Sequence, residues 1–226
     1  MDFAKFVHLI STKRLHFTRI DKFDDKFEGS YPVQNLEEWK GIYPEIGDFS
    51  HYRKFAVVSC WYTSGNESAA MWELYSKNYQ GISILTTKQK LESSIKDDFV
   101  KYEPVKYIDF MRKKAKILIP LDVFLYKRIE FMHEREFRAF QFSIPQSDGI
   151  EDGFPNFGSP EKQGGYPKEG IDIPIDLTKL IEKIVLSPYS QKWFKNIVKK
   201  ILLEHNLSNL KVCDSELTSD PLYPIQ

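Results

Sequence analysis

The sequence predicts an α+β fold: a single domain over residues 1–226, with a mixed, mainly antiparallel β-sheet flanked by helices. Three observations lead there. Short β-branched and aromatic runs alternate with helical periodicities, but without the regular strand–helix rhythm of a doubly wound sheet. The 226 residues, 42% of them hydrophobic, suffice for one sizeable core and not comfortably for two. The 32 basic and 32 acidic side chains cancel, which excludes a disordered chain and gives no support to a generally basic nucleic-acid coat.

Taken in order, residues 2–10 read as a helix and Arg14–Arg19 as a strand, and 35–43 look helical. The apolar run FAVVSCWY (55–62) predicts a buried strand. Asn66 or Ser68 can cap a helix through about Ser76, with Met71, Trp72 and Tyr75 inward at helical spacing. A strand over 81–86 and a helix over 88–95 follow, then strand-like residues 99–108, which Pro104 confines to an edge or bulge. Helical patterns cover 109–118 and 121–127; strands are predicted at 134–142 and Lys183–Leu186. The segment 191–205 is the most distinct helix, with Trp193, Phe194, Ile197, Val198, Ile201 and Leu202 as one stripe and its lysines mostly off it. A last strand falls at 210–213. Residues 144–170 hold six of the eleven glycines and read as a long surface loop insertion.

Several function classes drop out. Two cysteines make neither a disulfide framework nor a four-cysteine zinc site, and no run approaches the roughly 20 apolar residues that cross a bilayer. The N-terminus lacks the pattern of a secretory signal, so a cytoplasmic protein without a membrane partner is expected. No phosphate-binding glycine loop, dinucleotide GxGxxG or GxSxG elbow occurs. The run His133–Glu134–Arg135–Glu136–Phe137 starts like HExxH but puts Phe137 where the second imidazole must stand, so no metal is expected.

What remains is the charged stretch 127–140. If 134–140 is extended, Glu134, Glu136 and Arg138 share one sheet face, about 6.5–7 Å apart along the strand. Such a set is either an ion-paired ladder on an exposed face or a cleft in which one glutamate polarises a substrate hydroxyl while arginine holds the other. A second constellation joins Ser59, Cys60, Trp61 and Tyr62 to the Trp72 helix: core aromatics, or the floor of a pocket for a flat ring. Cys60 reads as an inert buried thiol. In the acidic stretch 21–29, Asp24 or Asp25 is expected to bond turn amides.

Together, RLHFTRIDKFDDKFEG (14–29), VSCWYTSGNESAAMWELYSKNYQGISI (58–84), KRIEFMHEREFRAF (127–140) and the stretch 184–217 resemble the uncharacterised bacterial family DUF2971. A serine-bearing strand followed by a Glu-x-Glu strand is in turn similar to the ADP-ribosyltransferase superfamily, whose split sheet grips NAD. The resemblance implies an NAD-dependent ADP-ribosyltransferase or NAD glycohydrolase, a toxin or phage-defence effector with NAD as co-substrate and a nucleic acid or protein as acceptor. In that scheme Glu136 is the catalytic glutamate, with Glu134 as its Glu-x-Glu partner. Ser59 holds the nicotinamide ribose, Trp61, Tyr62 or Trp72 stacks on a ring, and Arg128 or Arg138 orients the glutamates or meets the diphosphate. The chain departs from the family pattern in lacking a tyrosine-histidine-tyrosine-threonine segment near its start. That departure favours the alternative, a non-catalytic module binding a nucleotide, nucleic acid or protein on the same fold. A metal-dependent nuclease built on Glu134 and Glu136 ranks third.

Overall fold

The structure is a computed structural model describing residues 1–42, 53–76, 79–118, 120–143, 149–151, 154–156 and 165–221. The chain forms two compact units from separated segments. Met1–Leu15, Ser64–Asp97 and Ile173–Gln226 make the first, and His16–Thr63 with Asp98–Asp172 the second. Its sheets are mainly antiparallel and its helices flank them, as an α+β chain requires.

In the first unit, α1 (Phe3–Thr12) starts at Asp2, whose carboxylate accepts the Lys5 N–H at 2.8 Å, and stops at Lys13 in a left-handed conformation (φ 54°). A three-stranded sheet combines β3 (Ile82–Leu85), β11 (Lys183–Leu186) and β12 (Lys211–Asp214) in the order β12-β11-β3. The β11–β12 pair is parallel, so the chain must cross over between them, and α6 (Lys192–Glu204) makes that crossover. Phe194, Val198 and Leu202 bury one side of α6, and Phe194 meets Phe3 of α1 edge-on at 5.2 Å. The short helices α3 (Ala69–Tyr75), α4 (Lys88–Ser94) and α5 (Leu177–Leu180) complete the unit; Ser68, Thr87 and Asp176 cap them.

The second unit holds α2 (Val33–Ile42) and the sheet that positions the site. Strands β1 (Arg14–Arg19), β2 (Ala56–Tyr62), β4 (Lys101–Pro104), β7 (Glu136–Phe142) and β10 (Ile171–Pro174) run in the order β10-β1-β2-β7-β4; β2, β7 and β4 lie wholly in this unit. All three are antiparallel neighbours, with Ser59 opposite Ala139, Cys60 opposite Arg138 and Tyr62 opposite Glu136. Because side chains alternate, Ala56, Val58, Phe140 and Phe142 share one face, where Ile20, Tyr31, Val123 and Phe124 cover them to form a core cluster. Two short pairs, β5 (Lys106–Ile108) with β6 (Tyr126–Arg128) and β8 (Gly149–Glu151) with β9 (Phe154–Asn156), sit apart from the sheet.

The structure departs from the sequence reading at five places, one of them 121–127, where the helical pattern becomes a 3-10 helix ending at Leu125 and strand β6 begins at Tyr126. Residues 109–118 form turns, not a helix. The Asp109 carboxylate takes the Met111 and Arg112 amides, and Asn35 exchanges two hydrogen bonds with the Ala115 backbone at 2.8 and 3.0 Å. Side chains thus satisfy the groups a helix would have paired. The strand expected from Glu134 begins at Glu136, because Ile129–Glu134 is a 3-10 helix closed by left-handed Arg135 (φ 38°). In α3, Trp72 is the buried residue and Tyr75 is exposed, with Ser76 buried just past the helix end. In α6, Trp193 and Ile197 of the supposed apolar stripe are exposed as well. Of the expected loop 144–170, residues 144–148, 152–153 and 157–164 lie outside the described residues, and β8 and β9 pair within the remainder.

Candidate functional site

Strand β7 delivers Glu136 and Arg138 to the covered face of the second unit's sheet, and there they meet three charges from elsewhere. Arg138 is fully buried. Its Nε donates to Glu136 at 2.6 Å, its Nη2 to Glu136 at 3.1 Å and to both Glu28 oxygens at 2.9 and 3.1 Å, and its Nη1 to the Phe124 carbonyl at 2.6 Å. Lys127, at the middle of β6, points its ammonium at three carboxylates: Glu134 at 2.5 Å, Glu28 at 3.1 Å and Glu136 at 3.2 Å. The same ammonium lies over the Phe131 ring at 5.0 Å. The assembly is therefore three carboxylates and two cations, formally −1, with every named charge facing an opposite one.

The electrostatics follow from that closure. Burial alone would raise the Glu136 carboxyl, but the Arg138 charge and hydrogen bonds and the Lys127 charge outweigh it and hold the group at about 2, below the ordinary 4.5. Burial would likewise lower Lys127, yet Glu136, Glu28 and Glu134 push it above its usual range; Arg138 is raised for the same reason. Beside them stands Cys60, exposed where the sequence suggested a buried thiol. Desolvation and then the Glu136 charge push its thiol well above its usual value, so it stays protonated at neutral pH and serves Glu136 as a hydrogen-bond donor. The Tyr107 hydroxyl accepts the Glu136 backbone N–H at 2.7 Å and is also raised, first by burial.

Glu134, Glu136 and Arg138 thus do come together, as their spacing suggested. Glu134 arrives through the 3-10 helix and the left-handed turn at Arg135 instead of along the strand. They form neither of the two arrangements foreseen: the cluster is buried, not an exposed ladder, and it is closed on itself. Arg128 stands apart from the glutamates. It forms a two-point ion pair with Asp25 at 2.9 and 3.0 Å, and its guanidinium lies between the Phe27 and Phe131 rings at 4.6 and 5.3 Å. Asp25 also accepts the Phe27 amide at 3.1 Å, the turn bond foreseen for this stretch.

Ser59 is not brought to Glu136. Its partner across β2–β7 is Ala139, and strand alternation puts both on the opposite face from Glu136 and Arg138. That second face carries Trp61 opposite Phe137 and Pro104, and in the next row Ser59 opposite Ala139 and Tyr102. Trp61, Phe137 and Tyr102 are half-buried, and the Trp61 indole N–H is buried with no hydrogen-bond partner among the described residues. Tyr62 is half-buried on the Glu136 face. Trp72 belongs to the first unit, where Glu67 accepts its indole N–H at 2.8 Å together with the Ser215 hydroxyl at 2.5 Å and the Glu216 amide at 2.7 Å. Those bonds pull the Glu67 carboxyl below its usual range against the opposing effect of burial.

Glu28 and Lys127 are the residues that sequence reasoning missed. Glu28 lies 110 positions from Arg138, and nothing local marks it beyond the left-handed Gly29 (φ 71°) that follows. Among the described residues, no group of three or more histidine, cysteine, aspartate or glutamate side chains is disposed to hold a metal, and no helix is long and apolar enough to cross a membrane. Searches of curated proteins and of solved structures each returned no significant match. The stretch containing α3, Lys127 and the Glu-x-Glu turn does match a family. Over residues 71–139 the chain is similar to the family DUF2971, described as a protein of unknown function.

Proposed function

We propose that the chain is a non-catalytic binding module. In it the Glu-x-Glu stretch has a structural role, and the opposite sheet face, carrying Ser59, Trp61, Tyr102 and Phe137, receives the flat ring of a nucleotide. One observation supports both halves: the β2–β7–β4 register, which separates Ser59 and Trp61 from Glu136 and Arg138 by the thickness of the sheet. An ADP-ribosyltransferase asks a glutamate to bond a ribose hydroxyl beside a ribose-holding serine. Here Glu136 is engaged by Arg138 and Lys127, and Ser59 is on the far side. On the second face, three half-buried rings offer stacking area, and the unsatisfied Trp61 N–H is a donor for a ring acceptor.

Thermal-shift titration of the whole chain with NAD, ATP and single nucleosides tests this. A ligand at about 100 times its Kd adds about 2.7 kcal/mol of apparent stability. Nucleotide is expected to raise the melting temperature of the wild type but not of Trp61→Phe, which keeps a ring and removes the N–H. Nicotinamide release from NAD that Glu136→Gln abolishes without altering the melt would overturn the reading in favour of the transferase. Failure of every nucleotide to shift the melt would overturn the ligand class.

A further inference from the structure

Helix α6 carries four lysines (Lys192, Lys195, Lys199, Lys200) against one acid, Glu204, a formal +3 in a chain whose total is zero. Lys195 pairs with Asp214 at 2.6 Å and Lys200 with Glu204 at 3.9 Å, whereas no acid pairs with Lys192 or Lys199 among the described residues. The helix is anchored by Phe194, Val198 and Leu202, so its outward side is fixed. On that side Trp193, Ile197 and Lys200 follow at i, i+4 and i+7, with Trp193 48% and Ile197 38% exposed. Lys192 and Lys199 form the next row of the exposed side, about 100° round the helix, and the stripe spans about 10 Å at 1.5 Å per residue. The Trp193 ring is held in place by an N–H···O bond to Gln191 at 2.5 Å and by an edge contact with Phe194 at 6.0 Å.

We propose that this stripe docks single-stranded nucleic acid, with phosphates against Lys192, Lys199 and Lys200 and a base on the Trp193 ring. The combination of an exposed, oriented indole with a row of ammonium groups suits an unpaired, polyanionic strand: stacking needs no particular base, and lysine neutralises phosphate. A protein partner fits less well, because lysine is depleted at protein interfaces. The surface ion pairs of Lys195 and Lys200 are no obstacle, since exposed pairs contribute little and exchange readily with phosphate. This surface lies in the first unit and does not depend on the nucleotide reading of the second.

The test is fluorescence anisotropy of a labelled thymidylate dodecamer with the full chain across a salt series. Binding should weaken with salt at a slope of about −1.4 to −2, the value for two or three neutralised phosphates on a single strand. Lys192→Glu/Lys199→Glu should weaken it about tenfold or more, and Trp193→Ala about fivefold or more, with melting curves checked to show both variants folded. The nucleotide reading is scored on melting shifts with mononucleotides and this one on the salt-dependent dodecamer binding that the α6 substitutions remove, so either can fail without the other. No binding at low salt, binding indifferent to these substitutions, or equal binding of polyglutamate of the same length would each overturn the proposal.

Discussion

Replacing Glu136 by glutamine keeps the shape of the side chain and removes its charge, so it asks directly what that charge does. The carboxylate accepts from Arg138 at 2.6 and 3.1 Å and from Lys127 at 3.2 Å. Its carboxyl sits at about 2 where an exposed one sits at 4.5. At about 1.36 kcal/mol per pH unit, the ionised form is favoured in the folded state by about 3 kcal/mol. Glutamine forfeits that and turns an amide donor toward two cations that are themselves buried. For a chain of this size about 3 kcal/mol corresponds to a fall in melting temperature of about 6–12 °C. Scanning calorimetry at neutral pH reads it, and the acid limb of the wild type gives an independent check. The pKa is depressed on folding, so the contribution is complete above pH 4.5 and is lost as pH falls through about 2. The variant should lack that part of the acid transition. Melting within about 1 °C of wild type would refute the structural role and return Glu136 to the list of catalytic candidates.

Three further outcomes follow from the same geometry. Arg128→Ala should cost about 2 kcal/mol in urea denaturation, because the nearly buried Asp25 loses its partner and two rings lose a cation; Arg128→Lys should recover less than half, since an ammonium cannot make the two-point contact. Gly170→Ala should destabilise by about 2 kcal/mol or more in the same assay, because φ is +93° and a methyl group would stand 2.1 Å from the Phe17 carbonyl oxygen. Iodoacetamide should label Cys60 about tenfold or more slowly than free cysteine at pH 7.5 despite its exposure, with the rate climbing as pH rises; labelling as fast as the free thiol would contradict the environment described.

Much of the fold was legible because local signals and tertiary demands agreed. Arg14–Arg19 and Lys183–Leu186 were read to the residue, where β-branched and apolar residues stand between clear turn signals. The 109–118 segment was not: its buried Phe110 and Ala115 stand five residues apart, off any single helix face, and Ala115 is held by Asn35 from a distant part of the chain. At the site, the period-two argument correctly put Glu136 and Arg138 together but could not say which residues of β2 lie opposite them. What it lacked was the pairing register between β2 and β7, set by contacts about 80 residues apart in sequence. Glu28 had no local signature at all, since its role exists only once Arg138 is beside it.

The way the two units are threaded bears on how this protein can be dissected and made. The segments interleave along the sequence, so no single cut separates one unit from the other, and deletion series from either end will damage a unit without isolating its neighbour. Synthesis meets the same obstacle. The carbonyl of Lys13, at the end of the first helix, waits for the amide of Ile175, and Glu28 waits for Arg138. The emerging polypeptide therefore keeps some early groups without their native partners until late in synthesis, a state in which exposed surface invites misassembly.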